Sequence, residues 1–176
     1  MRALRTLLSA IAVFSMFGFV SSGNTSAKQT TAPGNLALVE RFNAAFEQKD
    51  VTTLRELLAD HVTLLMPMTF SGNVEPDFVA EGESATIAYF ETVFANFSNI
   101  QFVDPEMTFS DDGNRVFVET HGHLVLAANG QPYANVYVFR LDFADGQVVS
   151  IKGYANPVIA ASLFGIPLGT PTPGDE

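Results

Sequence analysis

The sequence predicts an α+β fold: a cone-shaped, curved antiparallel sheet wrapped by three N-terminal helices. Three observations carry this expectation. Helical periodicities occupy most of residues 36–97, strand-length runs occupy 99–156, and three glycine-bearing turns punctuate those runs. Helices grouped ahead of consecutive strands indicate α+β rather than an alternating parallel sheet. Apolar residues make up 47% of the 176-residue chain, with sixteen Phe, enough for one aromatic core.

The chain opens with Arg2 and Arg5, an apolar run from Leu7 to Val20, and small residues from Ser21 to Ala27. That order describes a secretory signal peptide over residues 1–27. The run falls short of the ~20 apolar residues that a spanning helix needs. The expected location is therefore secreted or periplasmic, with no stable membrane insertion after signal removal. Residues 28–34 form a Thr-rich flexible leader, 35–157 one domain, and 158–176 a C-terminal extension.

Leu36 to Gln48 is the first helix, with Leu36, Val39, Phe42 and Phe46 at helical spacing. Asp50 is the N-cap of a second, Val51 to Ala59. Val62 to Met66 reads as a strand ended by Pro67, and Ser71 to Glu81 as a loop. Gly82 to Phe97 is the strongest helix, with Ile87, Phe90, Phe94 and Phe97 on one stripe. Four strands follow. They are separated at Asp111-Asp112-Gly113-Asn114, Asn129-Gly130 and Asp145-Gly146, sequences that supply the positive φ angles of tight hairpins. Val158 to Phe164 adds a helical turn or two.

Composition excludes several chemistries. Without Cys there is no disulfide, thiol nucleophile or thiolate metal site. A net charge of −10 argues against nucleic acid, since no basic surplus neutralises phosphate. Neither a nucleophile elbow nor a Gly-rich phosphate loop is present, and no cofactor is implied. The titratable cluster is Glu119-Thr120-His121-Gly122-His123. Alternation puts Glu119, His121 and His123 on one strand face, opposite Val116, Val118, Thr120 and Leu124. Two imidazoles beside a carboxylate could act as acid and base. The competing reading turns all three toward solvent or a dimer interface, because the other face has the apolar character of a core. Metal binding is not expected, since ligands usually come from several elements and the remaining His is His61.

The stretches Phe46-Glu47-Gln48-Lys49-Asp50-Val51, Leu57-Leu58-Ala59-Asp60-His61-Val62, Gly82 before Ile87, Phe139-Arg140 through Asp145-Gly146-Gln147-Val148-Val149, and Tyr154-Ala155-Asn156-Pro157 carry a resemblance. Together they resemble the nuclear-transport-factor-2-like superfamily, in its SnoaL-like and ketosteroid-isomerase-like branch. The resemblance covers about Asn35 to Pro157 and implies the conical α+β roll of that superfamily. It also implies where catalytic groups would stand. The isomerase base position is Met66, and its oxyanion donors fall on Phe42 and Tyr137. The cyclase acid also falls on Tyr137. The acid of epoxide-hydrolase-like and phenazine-type relatives falls on Gly153, and the hydrolase arginine and aspartate fall near His121 and His123. Each borrowed mechanism thus lacks its acid. The expected function is binding a small, largely apolar molecule in the cone. Met66, Phe90, Phe94, Glu119, Asn135 and Tyr137 would line the site, with His121 and His123 as further polar contacts. One alternative is an isomerase, lyase or cyclase using His121 or His123 as base and Tyr137 as donor. Another is a module that homodimerises through the outer sheet face.

Overall fold

Three hairpin turns set the frame of the molecule. Gly113, Gly130 and Gly146 have φ of 70°, 72° and 76°, and Asp145 joins Gly146 in the left-handed region at 51°. The four strands they connect are β3 (Phe97–Phe109), β4 (Arg115–Leu126), β5 (Pro132–Ala144) and β6 (Gln147–Ala155). Each pairs antiparallel with the next. The meander is therefore as expected from its turn chemistry. The structure is a computed structural model and describes residues 33–76 and 78–169. The expected signal peptide lies outside the described residues, as does most of the leader.

Ahead of the meander come α1 (Pro33–Glu47), α2 (Val51–Leu57), β1 (Leu58–Met66), β2 (Phe78–Glu81) and α3 (Glu83–Asn96); α4 (Pro157–Phe164) follows it. The six strands form one curved sheet in the order β2-β1-β6-β5-β4-β3. The α+β cone with three helices before the meander is what the sequence predicts. Two details differ. Part of the expected 71–81 loop is strand β2, which pairs antiparallel with β1. Phe78-Val79-Ala80-Glu81 is only four residues long, too short for alternation to distinguish it from a loop. Strand β1 also pairs parallel with β6, so the sheet is not wholly antiparallel.

Local chemistry explains the joints. Asp50 caps α2, its Oδ1 accepting from the Thr53 N–H at 3.1 Å. The preceding Lys49 adopts φ 57°, which ends α1. Its ammonium donates to the carbonyls of Phe94 (3.1 Å) and Phe97 (2.5 Å), satisfying the C-terminal end of α3. In β3, Asp104 has φ 52° where the register to β4 shifts between Val103 and Glu106. This bulge helps curve the strand.

The core fills the concave side of the sheet. Val39, Phe42 and Phe46 of α1, Ile87, Phe90 and Val93 of α3, and Phe139, Leu141 and Ile151 of the sheet are all 0% exposed. Burial of each such side chain contributes about 1.5–3 kcal/mol. Helix α4 closes one end. Asn156 caps it through Oδ1 to the Val158 N–H at 3.0 Å, and Phe164 lies 6.3 Å from the Tyr133 ring. Beyond it, the Gly169 N–H donates to the Phe70 carbonyl at 2.8 Å, tying this extension to the β1–β2 loop. Among the described residues, no helix is long and apolar enough to cross a membrane.

Candidate functional site

Strand β4 alternates without a break from Arg115 to Leu124. Val116, Val118, Thr120, Gly122 and Leu124 are buried, whereas Phe117, Glu119, His121 and His123 are exposed. The register fixes their neighbours. His121 stands opposite Val103 and Val136, His123 opposite Gln101 and Ala134, and Glu119 opposite Glu106 and Val138. Directly opposed residues share a face. Tyr137 is opposed to Thr120, on the buried face. The sheet therefore separates both histidines and Glu119 from the Tyr137 side chain. The acid/base constellation of His121 or His123 with Tyr137 is not assembled. An apolar inward face took precedence, because turning the histidines in would expose Val116, Val118 and Leu124.

The other expected lining residues lie on the inner side of the sheet and helices. Met66, Phe90, Asn135 and Tyr137 are buried, and half-buried Phe94 packs edge-on to Phe46 at 4.7 Å. Asn135 is fully engaged. Its Nδ2 donates to Tyr133 Oη (2.6 Å) and the Asn156 carbonyl (3.1 Å), while Oδ1 accepts from the Val136 and Asn156 N–H groups (2.8 and 3.2 Å). It pins β5 to the start of α4 and has no valence left for a ligand.

Tyr137 stacks on Phe139 (5.4 Å) and leans on Phe102 (4.9 Å). Glycine at 122 makes this seat. A Cβ there would lie 2.5 Å from Tyr137 Cε2. The Tyr137 Oη is buried without a hydrogen-bond partner. The Tyr133 phenol is close enough to act on its ionisation. Tyr133 Oη accepts from Asn135, and its own O–H remains able to turn toward Tyr137 Oη, short of a well-formed hydrogen bond. Burial pushes the Tyr89 and Tyr137 phenols well above their ordinary value of 10.0. Both are neutral donors near pH 7, not bases.

Position 153 explains why a borrowed acid is missing. A Cβ on Gly153 would lie 2.8 Å from Met66 Sδ and 3.2 Å from Phe139 Cε1. The Met66 thioether fills the volume where a carboxylate from residue 153 would project. Two inherited acid positions, 66 and 153, are thus packed against one another as an apolar pair.

Three polar residues of the interior escaped the sequence reading. Asn43 of α1 and Thr86 of α3 are 0% exposed, and Asn43 Nδ2, Asn43 Oδ1 and Thr86 Oγ1 are unpaired. One turn beyond Asn43, Glu47 Oε1 is also buried and unpaired. Burial raises the Glu47 carboxyl above 4.5, partly offset by the hydrogen bond it accepts from the Phe102 backbone. The signal was available: Asn43 stands four residues after Val39 and between Phe42 and Phe46. No void opens beside these groups. A water-sized cavity would leave accessible surface on its walls, and Phe42, Phe90 and Phe139 have none. Among the described residues, no cluster of three His, Asp or Glu is placed to hold a metal.

On the convex face an open groove of about 550 Å³ runs between Met68, Glu119, His121, Val136, Val138 and Tyr154. Tyr137 borders it only from beneath, its ring being turned inward.

These features place the molecule among known proteins. A family model of the SnoaL-like domain matches residues 39–151. The chain belongs to the SnoaL-like domain family. It is 26% identical over 129 residues to the uncharacterized protein YesE of Bacillus subtilis (strain 168). That alignment covers 72% of this chain and 84% of YesE. Its fold is similar to a candidate isomerase from Bacillus subtilis, with TM-score 0.65 and 22% identity over 78% of this chain and 96% of that one. A phenazine biosynthesis-related protein from Pseudomonas aeruginosa matches with TM-score 0.65 and 15% identity, over 86% and 95%. A candidate polyketide cyclase from Xanthomonas campestris matches with TM-score 0.61 and 22% identity, over 71% and 92%. Identities this low establish the shared conical fold alone. Here the interior keeps Tyr137, Asn43 and Thr86 while the histidines lie outside.

Proposed function

We propose that this SnoaL-like protein acts outside the cytoplasm and binds a small, largely apolar molecule inside the cone. The observation that carries the reading is Tyr137 Oη, a neutral phenol enclosed by Phe102 and Phe139 with no well-formed hydrogen bond. Buried polar groups are normally hydrogen-bonded, so an orphan at the centre of an aromatic interior points to an occupant. The packed interior is compatible with this because Met66, unbranched and polarizable, can vacate the space over Gly153. Entry would need the end closed by α4 and the β1–β2 loop to open. Export rests on the sequence pattern of residues 1–27.

The test is native mass spectrometry of the exported protein, followed by displacement of the co-purified molecule by a fluorescent apolar probe. Tyr137→Phe should weaken binding about tenfold, which is ~1.4 kcal/mol, the scale of one hydrogen bond. If nothing co-purifies and no apolar probe enters, the reading is wrong.

A second reading concerns assembly. On the convex face Phe117, Val136, Val138 and Tyr154 are 40%, 49%, 36% and 38% exposed. Large apolar side chains gathered on one face mark an interaction surface. We propose that two copies pack face to face here. Sedimentation should show a dimer that Val136→Glu with Val138→Glu converts to a folded monomer. A monomeric wild type would remove the proposal.

A further inference from the structure

The convex face breaks one local rule twice. Directly opposed residues on antiparallel strands are unfavourable when they carry the same charge. Glu106 of β3 stands opposite Glu119 of β4, and Arg140 of β5 stands opposite Lys152 of β6. Opposed residues share a face, and Phe117 of β4 opposes Arg140, so all four side chains lie on the outer side of the sheet.

Neither pair is neutralised within the chain. Among the described residues, Glu106, Glu119 and Lys152 make no ion pair, whereas Arg41 bonds Glu56 and Arg55 bonds Glu83. Arg140 lies diagonal to Glu119 yet turns to Asp142, which Arg115 also bonds. One carboxylate against Arg115, Arg140 and Lys152 leaves that corner with two surplus positive charges. Glu106 and Glu119 give the other corner two negative ones. Between the corners stand the exposed apolar side chains: Val138 is opposed on one side to Glu119 and on the other to Tyr154.

Equal and opposite charge at two corners of one apolar patch makes that patch complementary to itself. A two-fold axis lying in the plane of contact brings each corner onto the opposite corner of a second copy. Glu119 shares a row with Val138, and Lys152 shares a row with Arg140. The point midway between Glu119 and Lys152 therefore falls on β5, between Arg140 and Val138. Resting on the face-to-face reading above, we infer that the axis crosses β5 at that point and sets Glu106 and Glu119 against the partner's Lys152 and the partner's Arg140. The apolar side chains supply the attraction, and the charges fix the angle at which the copies dock. The repulsion within each like-charged pair is relieved on assembly.

The test is sedimentation of the exported protein and of two charge reversals. Lys152→Glu and Glu119→Lys should each weaken the dimer at least about tenfold, because like charges then meet across the axis. Mixed in equal amounts, the two variants should recombine into a heterodimer within about threefold of wild-type affinity, since each reversed residue then faces the other. If a reversal does not fold, Lys152→Gln and Glu119→Gln replace it. Each should weaken the dimer about threefold, and both together no more than either alone. Reversals that leave the dimer intact, monomers that fail to recombine, or additive losses in the Gln variants would overturn this pairing while leaving the dimer itself standing. A monomeric wild type removes the face-to-face reading and this inference together.

Discussion

Adding one methyl group at position 122 should be costly, whereas adding one at 153 should be nearly free. At Gly122 a Cβ would lie 2.5 Å from Tyr137 Cε2, 3.0 Å from Leu124 Cδ1 and 3.1 Å from Phe102 Cε1. Ordinary contact begins at 3.4 Å, so the Tyr137 ring must retreat by about 0.9 Å. It is stacked on Phe139 and has no free space behind it. Overpacking of this kind costs about 1–3 kcal/mol. The reduced freedom of the unfolded chain returns about 0.4–1 kcal/mol. Gly122→Ala should therefore lose about 1–2 kcal/mol net, a Tm drop of roughly 2–8 °C at this size. At Gly153 the short contacts are with Met66 Sδ and Cε, at 2.8 and 2.9 Å, and with Phe139 Cε1 at 3.2 Å. The methionine atoms are the far end of a flexible side chain that can swing aside, and the ring need give by only about 0.2 Å, so Gly153→Ala should stay within about 0.5 kcal/mol of wild type. Urea denaturation followed by circular dichroism measures both. Tyr137→Leu removes the ring, so Gly122→Ala in that background should cost at least about 1 kcal/mol less. Equal losses at 122 and 153, or no coupling to Tyr137, would refute the seat described for this ring.

Three further outcomes follow from the interactions above. Asn135→Leu should destabilise by about 2–4 kcal/mol and speed hydrogen exchange at the start of α4, because it strands Tyr133 Oη and the Asn156 backbone. Lys49→Met should cost about 1.5–3 kcal/mol by thermal unfolding, since two carbonyls at the end of α3 lose a charged donor. Two of the shifted carboxyls, Asp142 and Glu47, should act in opposite directions with pH. Burial works to raise Asp142, but Arg115 and Arg140 together outweigh it and hold it below 3.8. Its stabilisation is complete above 3.8 and is lost as pH falls through the lower folded-state value. Glu47, raised above 4.5 by burial, takes up its proton in the folded state first, so stability falls as pH rises from 4.5 through that raised value. Asp142→Asn should thus be destabilising at pH 7, with the loss shrinking as pH falls below 3.8 through the lowered folded-state value. Glu47→Gln should be stabilising at pH 7 and neutral below 4.5, as pH-resolved denaturation curves will show.

Much of the fold was legible because its signals are local. Asn129-Gly130 and Asp145-Gly146 demand positive φ, Asp50 offers a cap, and Phe90 and Phe94 lie on a helical stripe. The parallel pairing of β1 with β6 was not legible, since nothing in either strand names a partner so distant in the chain. The site was readable only in part. Alternation grouped Glu119, His121 and His123 correctly on one face, and the apolar opposite face already indicated which side is buried. What periodicity could not weigh was a polar residue within an apolar stripe. Asn43 and Thr86 look unremarkable as letters and become informative only once their atoms are seen to lack partners.

The parallel β1–β6 ladder also bears on how this molecule comes into being. Thr63 Oγ1 donates to Ser150 Oγ across 87 residues, and Gln147 Nε2 donates to the Leu58 carbonyl across 89. During synthesis the first half of the chain emerges with only short β2 to pair against β1. Its main sheet neighbour is the last of the described strands to be made. High contact order slows folding, and here it postpones closure of the sheet until nearly the whole domain has left the ribosome. Any shortened chain ending before residue 147 would leave that edge of β1 open.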